Sequence, residues 1–214
     1  MSADPTALPA LLDGAHLIET FGLVGLLLIV FAETGLLLGF FLPGDSLLFA
    51  AGYAAAGGIK GVHPNIALVC LLVSAVAIVG AQTGFLIGRK AGPALFDRED
   101  SRLFKKSYVT RAEDIVERYG AGKAIVLARF IPIVRTFLNP LVGAGNLSTR
   151  TFTTWNIVGG VLWGTGVTLL GYFLGSVEFI GKNLEIFAIL IVGLSVLPIA
   201  VELLRARRSR RARV

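Results

Sequence analysis

The sequence is poor in cysteine, histidine and charged side chains. It has one cysteine, two histidines and 16% charged residues in 214. A single cysteine excludes a disulfide framework or a thiolate metal cluster within one chain. His16 and His63 lie near the ends of apolar segments with no motif spacing, and Ser46, which follows Asp45, has no histidine nearby to activate it. We therefore predict that the protein is not an enzyme and holds no metal or cofactor.

Apolar residues are what the sequence has in excess. They make up 55% of the chain, the mean hydropathy is +0.77, and there are 26 glycines. These proportions are typical of a protein dissolved in lipid, where glycine lets helices pack closely or break. We predict an all-α integral membrane protein.

The net charge of +6 comes from one short segment. An arginine cluster that directly follows an apolar segment is typical of a cytoplasmic anchor on anionic headgroups, rather than of a nucleic-acid-binding arm. We predict a cytoplasmic C-terminus and no nucleic-acid partner. Residues 1–19 lack the Lys or Arg of a signal peptide, so we expect the first apolar run to be retained. The arginines of the tail are Arg205, Arg207, Arg208, Arg210, Arg211 and Arg213.

Three of the five long apolar stretches have no internal break. Residues 66–87, 152–174 and 184–204 are each long enough to cross a bilayer core, which takes about 20 residues. We predict about three full transmembrane helices with a scaffold role. Glycines four residues apart on the first two favour close helix packing and would also permit a homodimer.

The other two stretches, residues 21–56 and 122–145, carry charges and a proline or glycine break. Such segments at membrane depth are typical of broken helices or re-entrant hairpins, in which the chain enters the membrane and returns on the same side. We predict two re-entrant hairpins. In the first, Glu33 and Asp45 flank Pro43-Gly44; in the second, Arg129 and Arg135 flank Pro132, and Asn139-Pro140 follows.

The two broken stretches resemble each other. Residues 40–43 (FFLP) and 129–132 (RFIP) are each followed by polar and small residues. A duplicated unit of hairpin and helix would leave this trace, with a binding site between its two copies. The sequence is thus compatible with an inverted repeat.

A polar stretch, residues 89–119, separates the two halves. Its many Lys and Arg residues predict a cytoplasmic location. Thr110 and Glu113 have the spacing of a capping box, which predicts a short helix that begins at Thr110 and is closed by Gly120. If residues 122–145 form a hairpin from this side, the two following spans return the basic tail to the cytoplasm, as the charge rule requires.

Four charges at membrane depth need an explanation, because each costs on the order of 2.5–3.5 kcal/mol. One interpretation is structural: Glu33 and Asp45 neutralise Arg129 and Arg135 and hold the hairpins together. The other is a binding cavity. Two arginines match a phosphate or carboxylate, Asn139 could add neutral hydrogen bonds or cap the hairpin, and Glu33 or Asp45 could exchange protons.

Three motifs resemble the DedA family of bacterial membrane proteins, also called the SNARE-associated or VTT-domain group. They are Glu33 to Gly52 (ETGLLLGFFLPGDSLLFAAG), Arg118 to Leu147 (RYGAGKAIVLARFIPIVRTFLNPLVGAGNL) and Asn156 to Trp163 (NIVGGVLW), within a match over residues 15–205. The resemblance implies two facing re-entrant hairpins and a role in lipid movement, with links to undecaprenyl phosphate recycling and the proton motive force. It also implies functional roles for Glu33, Asp45, Arg129 and Arg135.

Chemistry and resemblance together predict a transporter in the bacterial inner membrane. We expect residues 1–19 to form an N-terminal segment, 20–204 one membrane domain and 205–214 the cytoplasmic tail. The expected substrate is an anionic lipid, most plausibly undecaprenyl phosphate, moved with protons. Alternatives are a proton-coupled transporter of a small anion or drug, a phospholipid scramblase, and a non-transporting scaffold.

Overall fold

The computed structural model describes residues 14–36, 44–59, 62–96 and 106–175. Within these ranges all regular structure is α-helical. The predictions for residues 1–13, Pro43, the span 184–204 and the arginine-rich tail lie outside the described residues. The helices are α1 (Gly14–Gly35), α2 (Gly44–Ala55), α3 (Ile66–Phe96), α4 (Lys106–Tyr119), α5 (Ala121–Ala128), α6 (Pro132–Ala144) and α7 (Thr149–Gly175).

Two helices are long and apolar enough to cross a membrane. These are Ile66–Gly92 of α3 and Thr149–Leu174 of α7. At 1.5 Å per residue each is about 40 Å long, which exceeds the roughly 30 Å hydrocarbon core of a bilayer. Both carry large exposed apolar side chains, such as Leu71 on α3 and Leu170 on α7. Exposed apolar side chains on these helices are compatible with contact to lipid.

The first broken stretch contains two helices. α1 has a left-handed backbone at Gly22 (φ 60°) and ends at Gly35, and α2 begins at Gly44, so the predicted break at Gly44 is found. The two helices pack against each other.

The second stretch breaks at only one of its two prolines. α5 ends at Ala128 with Arg129 as its C-cap, Ile131 is extended, and Pro132 lies in the first turn of α6, where its missing N–H is not needed. Pro140, also predicted to break the segment, lies instead inside α6. A proline there removes one hydrogen bond of the ladder, and the close packing of α6 on α3 keeps the helix continuous.

The capping-box prediction for the polar stretch was wrong. α4 begins at Lys106, so Thr110 lies in its interior. The Glu113 carboxylate does not cap the helix; its Oε1 accepts hydrogen bonds from Asn146 N at 2.9 Å and Asn146 Nδ2 at 3.0 Å. Gly120 ends the helix as expected, with a φ of 79° that favours glycine.

Six of the described helices form two units with the same order: two helices on either side of a break, and then a long helix. The first unit is α1, α2 and α3, and the second is α5, α6 and α7. The second helix of each pair packs on the long helix of the other unit, α2 on α7 and α6 on α3. The first helix of each pair packs on its own long helix. This exchange gives the two units the same pattern of helix contacts.

Matching glycines bring the exchanged helices together. At each of the two contacts, one glycine on either helix faces a backbone carbonyl of its partner so closely that a Cβ would overlap it. The glycine is therefore needed for the approach, as in other small-residue helix contacts. The pairs are Gly52 with Thr168 and Gly171 with Phe49 for α2 and α7, and Gly143 with Phe85 and Gly88 with Pro140 for α6 and α3.

Candidate functional site

The four predicted charged residues lie at the helix ends beside the two breaks. Glu33 is in the last turn of α1, Asp45 in the first turn of α2, Arg129 directly after α5 and Arg135 in the first turn of α6. Glu33, Arg129 and Arg135 are at most 5% exposed. Charges buried this deeply need compensating partners.

Arg135 binds both carboxylates. Its Nη2 donates to Glu33 Oε1, and its Nη1 and Nη2 lie 3.1 Å from Asp45 Oδ1 and 3.3 Å from Asp45 Oδ2. Trp163 completes the group: its Nε1 donates to Asp45 Oδ1 at 2.8 Å, and its ring centroid lies 4.6 Å from Arg135 Cζ. A cation at this distance from an indole face is attracted to it. The arrangement connects α1, α2, α6 and α7.

The two carboxylates of this group are not equally satisfied. Asp45 accepts from Arg135 and from Trp163, whereas Glu33 Oε2 is buried without a hydrogen-bond partner among the described residues. Glu33 fits there because Gly44 has no side chain: a Cβ at Gly44 would overlap Oε2. An ionised oxygen left without a donor is costly, and protonation removes that cost.

Arg129 is held by neutral acceptors. Its Nη2 donates to Ala77 O at 3.2 Å and to Asn156 Oδ1. Asn156 is itself fully buried, and its Nδ2 donates to Ile78 O at 3.0 Å, which fixes the orientation of the amide. Within the described ranges no carboxylate forms an ion pair with Arg129. The direct ion pairs of both acids are therefore with Arg135.

One face of α7 contacts both arginines. A Cβ on Gly159 would lie 2.9 Å from Arg129 Cδ, and one on Gly160 would lie 3.5 Å from Arg129 Nη2, so the two glycines leave the room that the arginine side chain occupies. With Asn156 and Trp163 they are spaced i, i+3, i+4, i+7, which is one helix face. We call these four residues the α7 stripe.

The α7 stripe was missed as a functional element in the sequence, where residues 152–174 were predicted to be scaffold. One signal was available: Asn156 is a polar side chain within an apolar span, and such residues usually face the interior or a cavity. Trp163 offered less of a signal, since aromatic residues are common in membrane spans. The helix is long and apolar enough to span a membrane, and it also holds part of the charged cluster.

Asn139 does not reach the arginines through a described hydrogen bond. Its Nδ2 donates to Thr34 O at 3.2 Å, and the residue is buried. It thereby ties α6 to α1 one turn after Arg135.

The charge balance of the cluster is divided in space. Glu33, Asp45 and Arg135 carry one excess negative charge when all are ionised, and Arg129 carries one positive charge among neutral acceptors. The two parts are adjacent, since Arg135 Nη1 lies 3.5 Å from Arg129 O. One part can accept a proton, and the other can accept an anion.

Comparison with known proteins identifies relatives over nearly the whole chain. The model of the VTT domain matches residues 42–173. An uncharacterized membrane protein of Mycobacterium tuberculosis is 46% identical over 99% of this chain and 94% of its own length. One of Mycobacterium leprae is 42% identical over 98% of this chain and 94% of its own length. Protein DedA of Escherichia coli is 40% identical over 86% and 83%, respectively. No solved structure matches.

Proposed function

Because the chain belongs to the VTT-domain family, which includes Protein DedA, we propose that this membrane protein translocates an anionic lipid in exchange for, or together with, a proton. Undecaprenyl phosphate is the substrate that we expect. The observation that carries the proposal is the unequal pairing of the two buried arginines: Arg135 holds both carboxylates, and Arg129 holds only neutral oxygens.

Arg129 is the residue that we assign to the phosphate. A guanidinium binds phosphate through a planar fork, and charge-assisted hydrogen bonds of this kind are roughly twice as strong as neutral ones. The amide of Asn156 and the carbonyl of Ala77 are weaker acceptors than a phosphate oxygen. A headgroup that enters the site can therefore displace at least the side-chain acceptor.

Glu33, Asp45 and Arg135 are the group that we assign to the proton. Protonation of a carboxylate weakens its hold on Arg135 and leaves that arginine free to join Arg129 on a phosphate. A proton added to one part then balances the anion taken up by the other. Binding and proton exchange need no chemical reaction, so we propose neither an enzymatic step nor a cofactor.

We further propose that the two broken pairs are re-entrant hairpins of an inverted repeat in the inner membrane. Basic residues exposed around the end of α3 and on α4 support a cytoplasmic location for that side, in accordance with the positive-inside rule. With a hairpin in the second unit, the chain count then places the C-terminal tail in the cytoplasm. The exposed basic residues include Arg89, Lys90, Arg111, Arg118, Lys123 and Arg150.

The test is flux in proteoliposomes. Labelled undecaprenyl phosphate is compared with labelled phosphatidylglycerol, with and without a pH gradient, for the wild type, Arg129→Met and Arg89→Gln. Arg89 is a matched control, because it is an exposed arginine that also binds neutral acceptors. We expect gradient-accelerated flux of the polyprenyl phosphate, lowered about tenfold or more by Arg129→Met, which corresponds to about 1.4 kcal/mol, and unchanged in Arg89→Gln.

Other outcomes would replace the proposal. Equal movement of both lipids without regard to the gradient would identify a scramblase. Transport of inorganic phosphate or another small anion in the absence of lipid flux would identify a small-anion transporter. No flux from folded protein, with Arg129→Met no different from the wild type in any binding assay, would leave a scaffold in which the charges only hold helices together.

A further inference from the structure

We propose that Asn156 and Trp163 of the α7 stripe are positioning residues that join the anion site to the proton site through one rigid helix, and that Glu33 rather than Asp45 carries the exchanged proton. This inference rests on the proposed function. Neither residue is a charged member of the cluster, yet each donates to or accepts from one of its two parts.

Trp163 fixes Asp45. The indole N–H donates to Asp45 Oδ1, the same oxygen that accepts from Arg135 Nη1, while the indole ring lies against the Arg135 guanidinium. Trp163 is 1% exposed and belongs to the apolar core formed with Leu47 and Val73, so its position is set by packing. The Asp45 carboxylate is thereby held on Arg135 from two directions.

Glu33 has no second side-chain donor of this kind within the described residues; its other neighbour is the backbone of Gly44 at the start of α2. One of its oxygens binds Arg135, and the other is buried without a partner among the described residues. The charged groups that face it are Arg135 from α6 and Asp45 from α2; in the described part of the chain, α3 packs on α1 near Glu33 through Gly80, which cannot titrate. We assign the proton to this oxygen, because protonation removes its uncompensated charge without disturbing the pair of Asp45 and Arg135.

Asn156 fixes Arg129. It is 0% exposed, and its amide is oriented by a hydrogen bond to Ile78 O, so the oxygen faces the guanidinium. The room for Arg129 is provided by Gly159 and Gly160. Asn156 and Trp163 are two turns apart on the same face of α7, and a helix moves such residues together. Any displacement of α7 that releases Asp45 therefore also moves the acceptor of Arg129.

Asn156→Asp tests the anion side. The aspartate carboxylate is nearly the same size as the asparagine amide and gives Arg129 a permanent anionic partner. We expect the KM for undecaprenyl phosphate to rise about tenfold or more while the protein melts at or above the wild-type temperature. Asn156→Asp with a wild-type KM would overturn the assignment. Trp155→Phe, an exposed residue on the same helix, is the matched control and should change neither value.

Trp163→Phe tests the proton side. Phenylalanine keeps an aromatic ring against Arg135 and removes the N–H donor together with part of the volume of the indole ring. Asp45 then loses one of the donors that hold it, so the pH profile of flux should differ from that of the wild type while the protein still folds. Glu33→Gln should abolish the dependence on the pH gradient, whereas Asp45→Asn should retain part of it. Superimposable pH profiles, or the reverse order of the two acid variants, would overturn the proposal.

A spectroscopic measurement separates this inference from the proposed function. In a Trp155→Phe background Trp163 is the only tryptophan, and its emission reports on Asp45 directly. We expect Asp45→Asn to shift the emission and Glu113→Gln, which changes a remote carboxylate, to leave it unchanged. If the wild type transports no lipid, the proposed function is wrong. If Asp45→Asn leaves the Trp163 emission unchanged, the positioning role of Trp163 is wrong, regardless of the flux.

Discussion

Arg129 and Arg135 are six residues apart on either side of one helix break, and both are almost completely buried, yet their surroundings differ. Arg135 faces α1 and α2 and binds two carboxylates and an indole ring. Arg129 faces α3 and α7 and binds an amide and a backbone carbonyl. Burial alone therefore does not define a role; the charge of the partners distinguishes an arginine that holds helices together from one that can accept a ligand.

Removal of Arg135 should have the largest effect on stability. Arg135→Leu leaves Glu33 and Asp45 buried without a counter-charge, and breaking a buried ion pair in this way costs about 3–5 kcal/mol. We expect a matching loss in the free energy of unfolding in detergent. Adding Glu33→Gln and Asp45→Asn to the same chain should recover much of it. If Arg135→Leu alone unfolds at the wild-type denaturant concentration, the contrast between the two arginines is lost.

The glycine contacts test whether the two exchanged helix pairs, α2 with α7 and α6 with α3, contribute equally to stability. Gly52→Ala and Gly143→Ala each place a methyl group against a backbone carbonyl of the exchanged long helix, and overpacking costs about 1–3 kcal/mol. We expect similar losses in unfolding free energy for both. Gly166→Ala on α7 has open space around its Cβ and should be neutral or stabilising. If Gly143→Ala keeps the wild-type free energy of unfolding and Gly52→Ala lowers it, the two helix pairs do not contribute equally.

Removal of Arg129 should affect stability less than function. Arg129→Met strands the oxygen of Asn156 but also removes a buried charge, so we expect a net loss of about 1 kcal/mol in the free energy of unfolding. Flux should nevertheless fall as described above. A destabilisation as large as that of Arg135→Leu would mean that Arg129 is also structural, and thermal unfolding of the two variants side by side measures the difference.

Replacement of Arg89 should have the smallest effect on stability. It separates the contribution of burial from that of neutral hydrogen-bond partners. Its Nη1 donates to Leu147 O and to Thr149 Oγ1, both at 3.0 Å, so its partners are neutral like those of Arg129, but the residue is exposed. Arg89→Gln should change the free energy of unfolding by about 0.5 kcal/mol or less, because water replaces the lost hydrogen bonds. A larger loss would indicate that this helix end is more tightly packed than its exposure implies.

The sequence was sufficient to locate the breaks and the four charges. Proline and glycine interrupt helices by local backbone chemistry, and charges within apolar stretches are rare, so Gly44, Pro132 and the charged residues could be found without a structure. Pro140 shows the limit of this reasoning. Its local preference was overridden by the packing of α6 on α3, which depends on a contact between two distant segments.

The pairing within the site could not be predicted for the same reason. Two acids and two arginines allow several combinations, and which one forms depends on how α1, α2, α6 and α7 face each other. The contact of Asn156 with Arg129 depends on the room left by Gly159 and Gly160. In the sequence those glycines have the pattern of ordinary helix packing, and only the folded chain shows which side chain fills the space that they leave.

The exchange of helices between the two units also bears on biosynthesis. Asp45 is synthesised 90 residues before Arg135, its ionic partner, and α2 is complete long before α7 exists. At about 5–20 residues per second, the interval is roughly 5–20 s. Throughout that time the first unit carries two acidic groups in an otherwise apolar segment with no partner for them. A nascent chain that stops before the second unit therefore retains unneutralised acids, which distinguishes it from a finished protein for the insertion and degradation machinery of the cell.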